Sequence, residues 1–306
     1  MATADALITG AREIGRFPDD ILASSVLLGF ADDVIGDLVV PAIRKVMKGY
    51  WLVSSDTAVV SGTATYRIPS RAQHATVQSV DIVDPGGNPI PAVPVHASDA
   101  WRYRGLNGQG GSIAYRYVHV GDLIELLPTP IVTGYTIRWR FYRRPSELVL
   151  TSAAARVTSG GATASITVNA VPSTFLTTTP LDYVQASPNF DWLAVDKTPT
   201  SVFNPIVFAT APSAEGVTGD YLALAGQTPI VQVPKEWISV VEHGTAAYAL
   251  GALGDREGFE RLTVMANALV ARKLPLLERR NEADDPPMIN HDSPLRYGRG
   301  GRWGGR

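Results

Sequence analysis

The residues of this chain that could do chemistry are few and scattered. Its five histidines, His74, His96, His119, His243 and His291, stand far apart, and no two form an HExxH-type ligand pair. Catalysis requires a nucleophile, acid, base or metal ligands that converge, and such sets often leave a local spacing. None is present, although a set assembled only by folding stays open. The acids of Asp32-Asp33 and Asp284-Asp285 are sequence neighbours, so their carboxylates need not converge as a glycosidase or cation-binding pair would. Solvated helix and tail charges explain them equally well. The stretch Gly105-Leu106-Asn107-Gly108-Gln109-Gly110-Gly111 has the glycine content of a phosphate-cradling loop. It lacks the lysine and hydroxyl residue of a P-loop and the spacing of a dinucleotide fingerprint, and predicts a mobile hairpin loop instead. The expectation is a non-enzymatic protein with no catalytic residue, no metal site and no cofactor.

The strongest signal sits at the C-terminus. Pro286-Pro287 stops any helix, and residues 295–306 then combine arginine, glycine and two aromatics without an acid. Such a segment cannot build its own core. Three readings compete: an unused terminus, an RGG-like nucleic-acid binder, and a peptide that docks on a partner protein. Arginine and aromatic side chains are common interface anchors, which makes Leu295, Arg296, Tyr297, Arg299, Arg302 and Trp303 the candidate partner-binding residues. A single short tract on a nearly neutral body, with 27 Lys+Arg against 29 Asp+Glu, weakens the nucleic-acid reading.

Composition narrows the class. A charged fraction of 18% lies below the roughly 25% of average soluble domains. Either partner chains cover much of the surface, or the chain is simply an average globular protein. Zero cysteines exclude disulfide frameworks, iron–sulfur clusters and the usual structural zinc sites. No apolar run reaches the roughly 18 to 20 residues that span a bilayer, and the start shows no basic leader with an apolar run and cleavage site. Folding in a cytoplasm without membrane contact is expected.

The elements that must position these groups follow from periodicity. Residues 3–16 are helix-compatible, with Leu7, Ala11 and Ile14 aligned. Asp19 and Asp20 are read as caps of a helix with Leu22, Val26, Phe30, Val34 and Leu38 on one stripe. Pro41 then opens a short helix that Gly49 stops, so 19–49 reads as a helical pair. After Trp51 the period becomes two. Strands are expected near 63–68, 76–83 and 113–120, and 122–127 is read as a hairpin with 135–142 through Pro128-Thr129-Pro130. In that last strand Tyr135, Ile137, Trp139 and Phe141 share a face.

Residues 151–232 are rich in Thr, Ser, Ala and Pro, with strands expected near 163–168, 203–209 and 221–225. Their Phe175, Tyr183, Phe190, Trp192, Phe203, Phe208 and Tyr221 could close a small core. Helical period returns at Pro234, with Trp237, Val241, Gly244 and Tyr248 along one side; Gly254-Asp255 breaks and caps a last helix carrying Phe259, Leu262, Ala266, Leu269 and Val270. The expected class is α+β: a helical bundle base from the N- and C-terminal helices, antiparallel β units inserted in it, and an extended C-terminal tail. The boundaries are 1–52 with 233–280 for the base, 53–150 and 151–232 for the two β units, and 281–306 for the tail.

Several motifs, in order, resemble one known family. Asp20-Ile21-Leu22, Pro41-Ala42-Ile43-Arg44 and Tyr50-Trp51 look like the opening helices of tailed-bacteriophage head-to-tail adaptor (connector) proteins. Tyr66-Arg67-Ile68-Pro69, Gly121-Asp122 with Leu126-Leu127-Pro128-Thr129-Pro130, and Arg140-Phe141-Tyr142-Arg143-Arg144-Pro145 with Leu148 resemble its β region. Gly219-Asp220-Tyr221 and Gln232-Val233-Pro234 precede the closing helices. The motifs are degenerate, and the resemblance, over most of 19–297, rests on their order. It implies a structural virion protein: a homo-oligomeric, usually dodecameric ring in the neck between capsid and tail. The portal protein would be bound through the C-terminal segment and a tail or nozzle protein below, with genomic DNA passing through the lumen without sequence recognition.

Overall fold

The computed structural model describes residues 2–18, 20–104, 114–131, 133–186 and 192–281. Helix α1 (Ala4–Gly15) starts at Thr3, whose hydroxyl accepts the Ala6 N–H at 3.2 Å, and buries Leu7, Ile8 and Ala11. Helix α2 (Ser24–Val34) begins later than the acids at 19 and 20 suggest. Asp20 lies in a turn, and the approach to α2 is held by tertiary contact, with the Arg12 guanidinium donating to the Leu22 carbonyl at 3.1 Å. Its buried residues are Leu27, Leu28, Ala31 and Val34, while Val26 is exposed. Four-residue spacing drifts by about 40° per step, so the expected stripe spreads around the helix and the i, i+3, i+4, i+7 set wins.

The expected break before Pro41 is absent. One rod runs from α2 through a π-helical segment, Ile35–Val39, into α3 (Val40–Val46). Proline lacks an N–H and crowds the carbonyl four residues back; the wider π turn accommodates both.

The first β region holds β1 (Leu52–Ala58), β2 (Thr65–Arg67), β3 (Ser79–Val83), β4 (Pro89–Pro94), a short helix α4 (Trp101–Arg104), β5 (Arg116–Val120), β6 (Leu123–Leu127) and β7 (Thr136–Tyr142). Their sheet order is β1-β7-β3-β4-β5-β6-β2, antiparallel except for β4 with β5. The expected pairing of β6 with β7 is therefore wrong. Gly121, at φ +63°, closes a two-residue turn between β5 and β6, so β6 pairs locally, and its other edge takes β2. β7 instead lies between β1 and β3, with Leu52 opposite Tyr142 and Ile82 opposite Ile137. Ile137, Trp139 and Phe141 are buried on one face, and Trp139 Nε1 donates to Thr57 Oγ1 at 2.9 Å.

The second region comprises β8 (Glu147–Leu148), β9 (Ala155–Ser159), β10 (Ser165–Val168), β11 (Leu181–Val184), β12 (Trp192–Lys197), β13 (Pro199–Ser201), β14 (Ile206–Phe208), β15 (Tyr221–Leu224) and β16 (Gln227–Thr228). Seven of these form the sheet β12-β11-β15-β9-β10-β14-β13, and β8 pairs with β16 in parallel. Phe175, Tyr183 and Phe208 enter a core with Leu181, Ile166 and Leu222. Phe203 does not: it is 81% exposed. Asn204 donates to the Val168 carbonyl and accepts its N–H (2.7 and 3.1 Å), holding the chain in a turn that keeps Phe203 outside and starts the strand at Ile206. Phe190 lies outside the described residues.

Helix α5 (Ile238–Ala252) follows a 3-10 turn, Lys235–Trp237, and α6 (Arg256–Asn281) follows Gly254 at φ +83° and the cap from Asp255 to the Gly258 N–H at 2.9 Å. Helix α5 packs against α1, α2 and α6, and Gly244 meets Val34 across the α2–α5 contact. The N-terminal backbone adds a link, with Ala4 N–H donating to the Pro229 carbonyl at 2.8 Å. Helices α1 to α3 and α5 to α6 thus form one helical base with the sheets between them in sequence, an α+β fold.

Candidate functional site

Three of the described histidines sit in separate local networks. His96 Nδ1 lies 2.9 Å from Ser98 Oγ, His119 Nε2 3.1 Å from the Ala75 carbonyl, and His243 Nδ1 2.7 Å from the Ser239 carbonyl. Among the described residues, no group of three His, Asp or Glu could hold a metal ion. Asp32 and Asp33 part company: Asp32 is half-buried and turned to the backbone of Leu148, while Asp33 is exposed. The glycine-rich stretch 105–111, His291, Asp284-Asp285, and the candidate anchors Leu295, Arg296, Tyr297, Arg299, Arg302 and Trp303 lie outside the described residues.

What the fold does bring together is a charged joint between the two sheets. Asp182, on β11, is fully buried. Its carboxylate accepts Arg71 Nη2 at 3.0 and 2.8 Å, the Asp196 N–H at 2.9 Å and the Gly226 N–H at 2.8 Å. Arg71 reaches Asp196 Oδ1 as well, at 2.8 Å. Burial pushes the Asp182 carboxyl above its ordinary value, while the two backbone donors and Arg71 pull the other way. Arg143, from the end of the first sheet, lays its guanidinium on the Trp192 ring of the second. A cavity of about 480 Å³ lies along this seam, lined by Ser54, Arg67, Arg71, Phe141, Arg143 and Trp192 among others. Sequence reading missed the joint. The available signal was an acid inside the apolar run Leu181–Val184, a pattern that predicts a paired buried charge.

A second joint ties the connector between the sheets to the helical base. Asp32, on α2, accepts the Leu148 N–H at 3.0 Å, and Asp5, in the first turn of α1, accepts the Thr151 N–H at 3.1 Å. Burial pushes the Asp32 carboxyl up to about 7; the Leu148 N–H opposes this, and the neighbouring charges of Glu147 and Asp33 add to it. These arrangements hold parts in fixed relation. They place no nucleophile beside a base.

The surface carries apolar groups that no described part of the chain covers. On α6, Val264 is 68%, Met265 45% and Leu276 56% exposed; Ile21 and Val26 are exposed near the start of α2. Exposed apolar groups on one helix face mark contact surfaces more often than isolated ones do.

Comparison with known proteins places this architecture. Residues 2–177 match the family model described as SU10 adaptor protein, a span that runs from α1 through the first sheet and past β9 and β10 of the second, ending before β11. No curated protein matches the chain.

Proposed function

This chain belongs to the SU10 adaptor protein family, phage structural adaptors rather than enzymes, and on that premise we propose that it forms a ring joining the portal vertex of a tailed-phage capsid to the tail, with DNA passing through its centre. The match over residues 2–177 carries the reading. The joints support it, since Arg71–Asp182 and Asp32–Leu148 link the parts of each subunit into a body that can transmit load. In this proposal the protein is a component of the virion neck. The helical base (1–52 with 233–280) and the β units (53–150 and 151–232) form the ring wall, and the segment 281–306 docks on the portal.

Ring symmetry makes successive tail contacts effectively intramolecular, so weak single contacts add to a durable joint. Arg296, Tyr297, Arg299, Arg302 and Trp303, with Leu295, are the proposed anchors, because they combine interface-prone side chains on a segment with no apolar set of its own. The test is negative-stain electron microscopy of the purified chain with and without portal rings, repeated after deletion of residues 286–306. The expected result is portal-bound rings for the full chain and loss of portal binding for the deletion. Unchanged binding by the deletion removes the docking role. DNA binding that weakens steeply with salt and is lost with the tail would assign these arginines to nucleic acid instead.

A further inference from the structure

The helical base presents two helix surfaces that are complementary and cannot meet within one chain. On α2 the residues Ser25, Gly29 and Asp33 recur at four-residue spacing along an exposed edge. A side chain added at Gly29 would meet nothing within 4 Å, and the same holds for Gly36 about two turns beyond, in the π-helical segment. Glycine is unfavourable inside a helix, and intrachain packing gives no reason for either one. This edge borders a trough of about 550 Å³, closed on its far side by Glu147, Leu150 and Ser152 of the connector. Residues 24–39 contain Asp32, Asp33 and Asp37 and no lysine or arginine. Asp37 shares a hollow with Arg44 and Arg144, which leaves Asp32 and Asp33 as the acids beside the trough, and burial together with Glu147 and Asp33 raises Asp32.

Helix α6 has the opposite character. Residues 261–277 contain Arg261, Arg272 and Lys273 and no acid. Its outer surface carries Val264, Met265, Ala268, Ala271, Arg272 and Leu276, all exposed. Both helices bury their inner stripes in the helical core, Leu27, Ala31 and Val34 on α2 and Leu262 and Val270 on α6, and both pack on α5. Their outer stripes face away from α5.

We infer that the outer face of α6 in one subunit seats on the α2 edge of the next, its apolar residues over Gly29 and the trough and Arg272 against the Asp33 side. The inference rests on the ring reading and gives that ring its lateral contact. Because the two surfaces differ, the contact is heterologous, the kind that repeats from copy to copy and closes into a ring. Outward glycines allow the incoming helix to approach closely, and the unlike charges set direction and register.

The absence of cysteine makes the test clean. The full chain carrying both Gly29→Cys and Ala268→Cys, oxidised with and without portal rings, is expected to give a ladder of dimers, trimers and larger covalent species on non-reducing gels. Each single variant is expected to give none. Arg272→Glu in the double-cysteine chain is expected to reduce the ladder severalfold, and adding Asp33→Arg to restore it. Thermal melts matching the wild type verify that each variant folds. A double-cysteine chain that stays monomeric, or Ala268→Cys alone giving dimers through an α6–α6 contact, overturns the inference. Electron microscopy of the wild type separates the two readings: rings without the ladder overturn only this contact, and neither rings nor ladder overturns both.

Discussion

Arg71 and Asp182, 111 residues apart, share two contacts of 3.0 and 2.8 Å in which the carboxylate has no exposed surface and the guanidinium little. The pair joins the loop after β2 to β11 of the second sheet, one strand in from its edge. Arg71→Leu leaves a buried carboxylate with only backbone donors, which costs about 3 kcal/mol when a buried pair is broken from one side. Urea denaturation should show this loss, and Asp182→Asn in the same chain should recover part of it. A change below about 0.5 kcal/mol for Arg71→Leu would mean that the joint contributes nothing measurable.

Asp32 makes stability depend on pH. Its folded value of about 7 lies above the ordinary carboxylate value, so between about pH 4 and 7 the folded state holds a proton that the unfolded chain has released. The stabilisation is complete below that window and is lost as pH rises through it, with a slope of at most about 1.4 kcal/mol per pH unit. Asp32→Asn keeps an oxygen for the Leu148 N–H and removes the charge. Melting temperatures from pH 4 to 8 should therefore fall less steeply for the variant than for the wild type, and parallel curves would exclude this role for Asp32.

Gly244 is where α5 meets α2. A methyl group there would lie 2.7 and 2.8 Å from the two Cγ atoms of Val34, whose branched side chain has one strongly preferred helical rotamer. Gly244→Ala should destabilise by about 1 to 3 kcal/mol. Adding Val34→Ala should make the combined loss smaller than the sum of the two single losses, as read from a double-mutant cycle.

Gly161 tests the second sheet alone. A Cβ there would come within 2.6 Å of Tyr183 Oη and 2.7 Å of the Gly216 backbone, and backbone cannot swing aside as a side-chain end can. Gly161→Ala should cost about 2 kcal/mol or more. Hydrogen exchange should rise in β9 to β15 and stay unchanged in α1 and α5. A uniform rise would show that the sheets and the helical base unfold as one unit.

Much of this architecture is legible along the chain because it is written in local periodicity. The alternation Ile137, Trp139, Phe141 buries as a strand should, and the small residues of α5 allow the close helix contact at Gly244. The errors share a cause. Asp19 and Asp20 have the chemistry of caps, yet α2 begins at Ser24 because Arg12 holds the approach at Leu22. Proline 41 is a local breaker that the π turn absorbs, and Phe203 is an aromatic that Asn204 leaves outside the core.

By itself, the amino-acid sequence determined the α+β class, the switch from helical to strand period at Trp51 and back at Pro234, and the acid-free arginine–glycine composition of residues 295–306. These are properties of short windows, in which side-chain period and conformational preference act locally. Only the tertiary structure decided that β7 lies between β1 and β3, that Arg71 meets Asp182, and that Asp5 and Asp32 receive the connector backbone. Strand partners and buried ion pairs depend on which distant segments fold together, and the energy of a buried charge is set by that partner and by the exclusion of water.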